Sequence, residues 1–141
     1  MITVLNILLV EDNPGDIRLL QEILREVGTT EYQITPAMTL AAAIDRLSVV
    51  DPVTFDIILL DLSLPDSLGM ASFLSLHRQA PQIPIVVLTG LDDEMLALSA
   101  MQQGAQDYLI KGQVDCHLLR RSIRYAIERE RAHTAQRKKK I

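Results

Sequence analysis

Asn6-Ile7-Leu8-Leu9-Val10-Glu11-Asp12-Asn13-Pro14 decides the fold. The run from Ile7 to Val10 is apolar without alternation. That suits a central parallel strand covered on both faces better than a strand with one wet face. It stops at two acids, and Asn13-Pro14 then supplies a helix cap and a first-turn proline. Leu20, Leu24 and Val27 follow at helical spacing, and Gly28 closes that helix.

The same alternation continues to the end of the chain, with no internal repeat and no low-complexity linker. Residues 32–35 read as a short strand. Thr39 caps a helix over 40–47, and Asp51-Pro52 breaks the chain. Residues 55–60 form a second buried strand ending at Asp61. Pro65 and Gly69 mark a tight connection to a third helix, which stops at Ala80-Pro81. A strand over 83–88 ends at Thr89-Gly90. Asp92 caps a fourth helix closed by Gly104. The strand 107–110 ends at Lys111-Gly112, and Asp115 caps a fifth helix with Leu119, Ile123, Ala126 and Ile127 on one face.

Five strand–helix pairs with parallel strands require right-handed crossovers, which give an α/β fold: a doubly wound five-stranded sheet with helices on both faces. The 141 residues suffice for one such domain, 1–127, followed by a helical extension or linker, 128–141. Past Ile127 the apolar stripe fades while Glu128 to Ala135 keep helical propensity. The extension is a linker toward an output domain, a dimer arm, or a fraying end.

Composition narrows the class. With 48% hydrophobic and 23% charged residues the chain is an ordinary globular domain. No apolar run reaches membrane-spanning length, and residues 1–10 read as a strand instead of a leader peptide. The lone Cys116 cannot form an internal disulfide and fits a reducing, cytoplasmic setting. The cap Asp115 places it at a helix N-terminus, where a passive thiol is the plain reading. His77, His117 and His133 lie on helices without Cys or carboxylate partners and read as surface residues. A net charge of −4 argues against nucleic-acid binding by the domain as a whole. The basic end, Arg137-Lys138-Lys139-Lys140, reads as a solvated helix end, with phosphate or anionic lipid as the alternative.

In open α/β sheets, ligands sit outside the carboxyl ends of the strands. The first strand ends in Glu11 and Asp12, the third in Asp61, the fourth in Thr89 and the fifth in Lys111. Three carboxylates at one rim repel one another unless a cation is present. Oxygen donors without His or Cys suit Mg²⁺, which keeps waters and phosphate oxygens among its ligands. Beside such an ion Asp61 is a candidate carboxylate nucleophile, with Lys111 neutralising charge and Thr89 available to a phosphoryl oxygen.

These residues, together with Leu59-Leu60-Asp61-Leu62, Pro65, Gly69, Val86-Val87-Leu88-Thr89-Gly90, Gly104-Ala105 and Asp107-Tyr108, resemble the receiver domains of two-component response regulators. The resemblance runs from about residue 6 to 127. It implies the flavodoxin-like strand order 2-1-3-4-5, the chemotaxis-regulator example given for this fold. It also implies a phosphoacceptor at Asp61, and Mg²⁺ (or Mn²⁺) held by Asp12, Glu11, Asp61 and the Ser63 backbone carbonyl. Thr89 and Lys111 would read the phosphoryl group, with Tyr108 as a switching aromatic. The donor would be a phosphohistidine on a sensor kinase or phosphotransfer protein. The fourth helix, fifth strand and fifth helix would form the output or homodimer face. The domain would be a switch with self-phosphorylation and autodephosphorylation chemistry only, not an enzyme acting on other substrates.

Two positions depart from the family pattern. Gly112 stands where a proline, commonly with a cis bond, often follows the lysine. Glu11 stands where many members have Asp. Two other functions compete. A hydrolase working through an aspartyl phosphate of the haloacid-dehalogenase kind would put Asp-x-Asp after the first strand and need room for a cap domain. A phosphorylation-independent interaction module would usually have lost an acid, the Thr or the Lys. Dinucleotide binding fails because no Gly-x-Gly-x-x-Gly follows the first strand.

Overall fold

The computed structural model describes residues 3–25, 28–48 and 54–139. Five strands, β1 (Thr3–Val10), β2 (Thr30–Ala37), β3 (Ile57–Asp61), β4 (Ile85–Thr89) and β5 (Asp107–Ile110), form one parallel sheet in the order β2-β1-β3-β4-β5. Five helices connect and flank them: α1 (Pro14–Leu24), α2 (Leu40–Ser48), α3 (Met70–Gln79), α4 (Glu94–Gln102) and α5 (Cys116–Lys139). The chain leaves β1 toward one edge and returns through β3 toward the other. The connections at the carboxyl ends of β1 and β3 therefore diverge and leave a crevice.

The unbroken apolar runs are explained by a core on each face. Ile7 and Leu9 of β1, Ile57 and Leu59 of β3, and Val86 and Leu88 of β4 pack against α1 and α5. Leu8, Val10, Ile58, Leu60, Ile85 and Val87 point the other way, against residues of α2, α3 and α4 such as Ala43, Phe73 and Ala97. Successive side chains alternate faces, so strands buried on both sides show no polar–apolar alternation in sequence.

The caps follow the sequence closely, with exceptions. Asn13 Oδ1 accepts from the Gly15 and Asp16 amides at 2.8 and 3.2 Å. Asp115 Oδ1 accepts from Leu118 at 2.8 Å. Helix α1 ends at Leu24, before Gly28; Val27 and the Asp51-Pro52 break lie outside the described residues. Asp92 is not a cap: Leu91–Asp93 is a single 3₁₀ turn leading into α4, and Asp93 at the boundary makes no side-chain cap bond. A 3₁₀ turn commonly precedes an α-helix, so an acid at its start does not by itself fix where the α-helix begins. Strand β2 runs eight residues, twice the expected length, because all of it pairs with β1. A two-residue antiparallel hairpin, Ser63–Leu64 with Ser67–Leu68, fills the connection after β3.

Helix α5 continues without a break past Ile127 to Lys139. Glu130, beyond the apolar stripe, is still buried. Arg129 donates to the Gln106 carbonyl at 3.1 Å, tying the helix to the loop before β5.

Phe73 is fully buried between α3 and the sheet. Phe73→Ala is expected to cost about 3–5 kcal/mol, read as a lower urea midpoint at unchanged m-value.

Candidate functional site

Glu11 follows β1 directly, Asp61 and Thr89 are the last residues of β3 and β4, and Lys111 follows β5. Parallel register puts these ends side by side: Asp61 pairs with Leu88, and Thr89 with Ile110. Glu11 and Thr89 are almost completely buried, and Asp61 nearly so. Carboxylate oxygens of Glu11, Asp12 and Asp61 lie within 4.8 Å of one another, with Asp12 the outermost.

The Lys111 ammonium organises the cluster. Its Nζ lies 2.6 Å from Glu11 Oε2, 3.0 Å from Asp61 Oδ2 and 3.0 Å from Asp16 Oδ2. The last two are hydrogen bonds donated by the ammonium. The other Asp61 oxygen, Oδ1, accepts from the Ser63 amide at 3.0 Å. Glu11 Oε1 accepts from the Asn13 amide at 3.1 Å. Both nearly buried carboxylates are thus held by one backbone amide and one ammonium.

Burial raises the Glu11 carboxyl from its ordinary 4.5 to about 7; Lys111 opposes the rise and Asp61 adds to it. Burial alone would lower the Lys111 ammonium, but Glu11, Asp61 and Asp16 together outweigh it and hold the group above its ordinary range. Lys111 therefore stays charged, while burial pushes Glu11 toward its protonated form.

Asp16 was missed in the sequence. An acid in the first turn of a helix is explained sufficiently by the helix dipole, and its reach to Lys111 depends on where α1 sits. The available signal was its position four residues after Asp12, on the same rim.

The side-chain hydrogen bonds of Thr89 and Tyr108 go outside the acid cluster. Thr89 Oγ1 donates to the Gly90 carbonyl at 2.9 Å. Tyr108 packs partly against the core, and its hydroxyl donates to Glu94 Oε1 at 3.2 Å, which raises the phenol above its ordinary range. Ser63 sits in the short hairpin. Gly112 has φ +86°. A proline ring locks φ near −65°, so the loop after Lys111 follows a path closed to proline. His77 is not an isolated surface residue: its ring stacks on Phe73 at 5.4 Å.

Four carboxylates against one ammonium leave a strong excess of negative charge. All the donors are hard oxygens on short side chains of diverging loops. That chemistry fits Mg²⁺, which takes a few carboxylates and fills its octahedron with water.

A doubly wound sheet with this rim is an α/β domain whose acid–lysine site lies at the carboxyl ends of its strands. The response regulator receiver domain family matches residues 7–132, and the chain belongs to it. Receiver domains of two-component systems work through phosphorylation-based signalling and typically bind Mg²⁺ in the acidic site. The chain is 33% identical over 107 residues to the swarming motility regulation protein RssB of Serratia marcescens, covering 76% of this chain and 46% of that protein. It is 33% identical over 134 residues to the KDP operon transcriptional regulatory protein KdpE of Escherichia coli, covering 92% and 54%. The chain thus spans about half the length of these two curated relatives. Among solved structures, the receiver domain of sensor histidine kinase PA1611 from Pseudomonas aeruginosa superposes with a TM-score of 0.72 at 28% identity, covering 89% of this chain and 99% of that one. That structure carries a magnesium ion coordinated in its active-site cleft.

The raised Glu11 carboxyl has a definite sign. Its folded value lies above its unfolded one, so its stabilising contribution is complete below about pH 4.5 and lost as pH rises through about 7. With a chelator present, Glu11→Gln is expected to gain stability relative to wild type between about pH 5 and pH 8. Urea denaturation at the two pH values measures the difference. Parallel pH slopes for the two proteins would contradict it.

Proposed function

We propose that this chain is a phosphorylation-activated switch that takes a phosphoryl group onto Asp61 from a phosphohistidine of a sensor kinase or phosphotransfer protein. The observation that carries the reading is the Asp61 carboxylate, which is nearly buried, held by the Ser63 amide and the Lys111 ammonium, and adjacent to two further acids.

Asp12, Glu11, Asp61 and the Ser63 carbonyl are the candidate ligands for Mg²⁺, with Mn²⁺ as a substitute. The ion would neutralise charge on the transferring phosphoryl oxygens. An oxygen of Asp61 attacks phosphorus as the P–N bond to the donor imidazole breaks. The imidazole keeps the bonding pair and takes a proton from solvent, and Asp61 becomes an acyl phosphate. Lys111 exchanges its bond to the Asp61 carboxylate for one to a phosphoryl oxygen. Water later attacks phosphorus and regenerates the carboxylate. This is self-directed chemistry, not turnover of a separate substrate.

Thr89 turns its hydroxyl from the Gly90 carbonyl toward the phosphoryl group, and Tyr108 gives up Glu94 for the space left behind. The phosphoryl group shifts the equilibrium only through its different contacts in the two states. The change is read on α4, β5 and α5. Leu91, Met95 and Leu98 are exposed there, which suits an output domain or a second copy of the chain. No described helix is long and apolar enough to cross a membrane, and we place the switch in the cytoplasm. We take residues 1–127 as the domain and 128–141 as a helical extension or linker.

Incubation with a small phosphodonor and Mg²⁺, followed by intact-mass measurement, should show one added phosphoryl group. Asp61→Asn should show none, and chelation should abolish the gain. Turnover of an added phosphate ester would indicate a hydrolase, and no reaction at all would indicate an unphosphorylated scaffold. Lys111→Ala should keep the fold and lose the phosphorylation-dependent change around Tyr108. An unchanged response in that variant would remove Lys111 from the relay.

A further inference from the structure

The two arms of the acidic pocket come from loops that diverge: Glu11-Asp12 after β1, and Asp61 to Gly69 after β3. One exposed side chain ties the second of these arms to the start of α2. Asp66, at the turn of the hairpin after β3, accepts from the Leu40 amide at 2.8 Å through Oδ1 and from the Ala41 amide at 3.0 Å through Oδ2. These are the first two amides of α2, which have no partner within their own helix. The two bonds hold the Asp66 carboxyl below its ordinary range.

A helix can be capped locally, and α2 is: Thr39 Oγ1 accepts from the Ala42 amide at 3.0 Å. Asp66 adds a cap from 26 positions away in sequence. On its α2 side, the tie leads back to the pocket, because the Glu11 amide donates to the carbonyl of Ala37, the last residue of β2, at 3.0 Å. On the hairpin side it leads to the pocket again. The Gly69 amide donates to the Leu62 carbonyl at 2.8 Å, Ser72 Oγ donates to Ser67 Oγ at 2.8 Å, and the Ser63 amide holds Asp61. Leu64 is buried in the core and anchors the hairpin from below. Gly69 at φ +65° lets the chain turn from the hairpin into α3.

We propose that Asp66 is a positioning residue of the metal and phosphoryl site. By clamping the hairpin to the start of α2 it fixes the distance between Glu11-Asp12 and Asp61-Ser63. The inference rests on the magnesium reading above. Ligands supplied from the ends of two different strands need a fixed separation, because Mg²⁺ tolerates little departure from ideal geometry. Supporting contacts of this kind move metal affinity without touching the ion.

Three variants separate this role from ordinary helix capping: Asp66→Ala, Asp66→Asn and Thr39→Ala. Mg²⁺ affinity is measured by calorimetry, and backbone amide exchange over residues 62–69 is measured in metal-free protein. Asp66→Ala is expected to weaken Mg²⁺ about tenfold and to speed exchange in the hairpin. Asp66→Asn should recover part of both, since its amide oxygen still accepts one bond. Thr39→Ala removes a cap from the same helix end but not the tie, and should change neither. Equal losses in Thr39→Ala and Asp66→Ala, or wild-type affinity and exchange in Asp66→Ala, would overturn the proposal. Wild-type protein that takes up no Mg²⁺ would defeat the magnesium reading instead. Hairpin exchange faster in Asp66→Ala alone would then still uphold the clamp.

Discussion

Lys111 holds the rim together. Its ammonium meets Glu11, Asp16 and Asp61 at 2.6 to 3.0 Å, two of them carboxylates with almost no access to water. Breaking a buried ion pair by removing one partner leaves a charge with no solvent to relieve it, and typically costs 3–5 kcal/mol. One cation cannot balance four acids, and the raised Glu11 carboxyl records the shortfall. A divalent ion of the kind the family typically binds would make up that deficit.

The sheet that carries the rim has strands covered on both faces. β1, β3 and β4 end under two separate cores, one shared with α1 and α5 and one with α2, α3 and α4. Their carboxyl ends are therefore rigid platforms, while the connections beyond them are free to carry polar residues. The hairpin after β3 is the exception among those connections. It is tied at Asp61, Leu62, Asp66 and Ser67, so it behaves as part of the platform. By contrast the Tyr108 hydroxyl reaches away from the platform to an exposed bond with Glu94, while its ring packs partly against the core.

Much was legible in the sequence for a simple reason. Double burial writes itself as an unbroken apolar run, and the acid, hydroxyl or lysine that ends each run marks the point where the strand meets water. Ile7 to Val10 before Glu11, and Ile57 to Leu60 before Asp61, carry both signals. Asn13-Pro14 and Asp115 mark helix starts because capping is a local hydrogen bond between near neighbours. Strand count, parallel pairing and the identity of most rim residues followed from these local facts.

Tertiary structure decided what depends on distance through space. Asp16 joins Lys111 only because α1 lies against the carboxyl end of the sheet, and Asp66 caps a helix that begins 26 residues earlier. The full length of β2 came from its partner β1, since an edge strand of mixed polarity has no run of its own. The path through Gly112 and the upward push on the Glu11 carboxyl likewise arise from packing. Periodicity and capping are written in neighbouring residues; electrostatics and remote ties are properties of neighbours in space, which one-dimensional order does not encode.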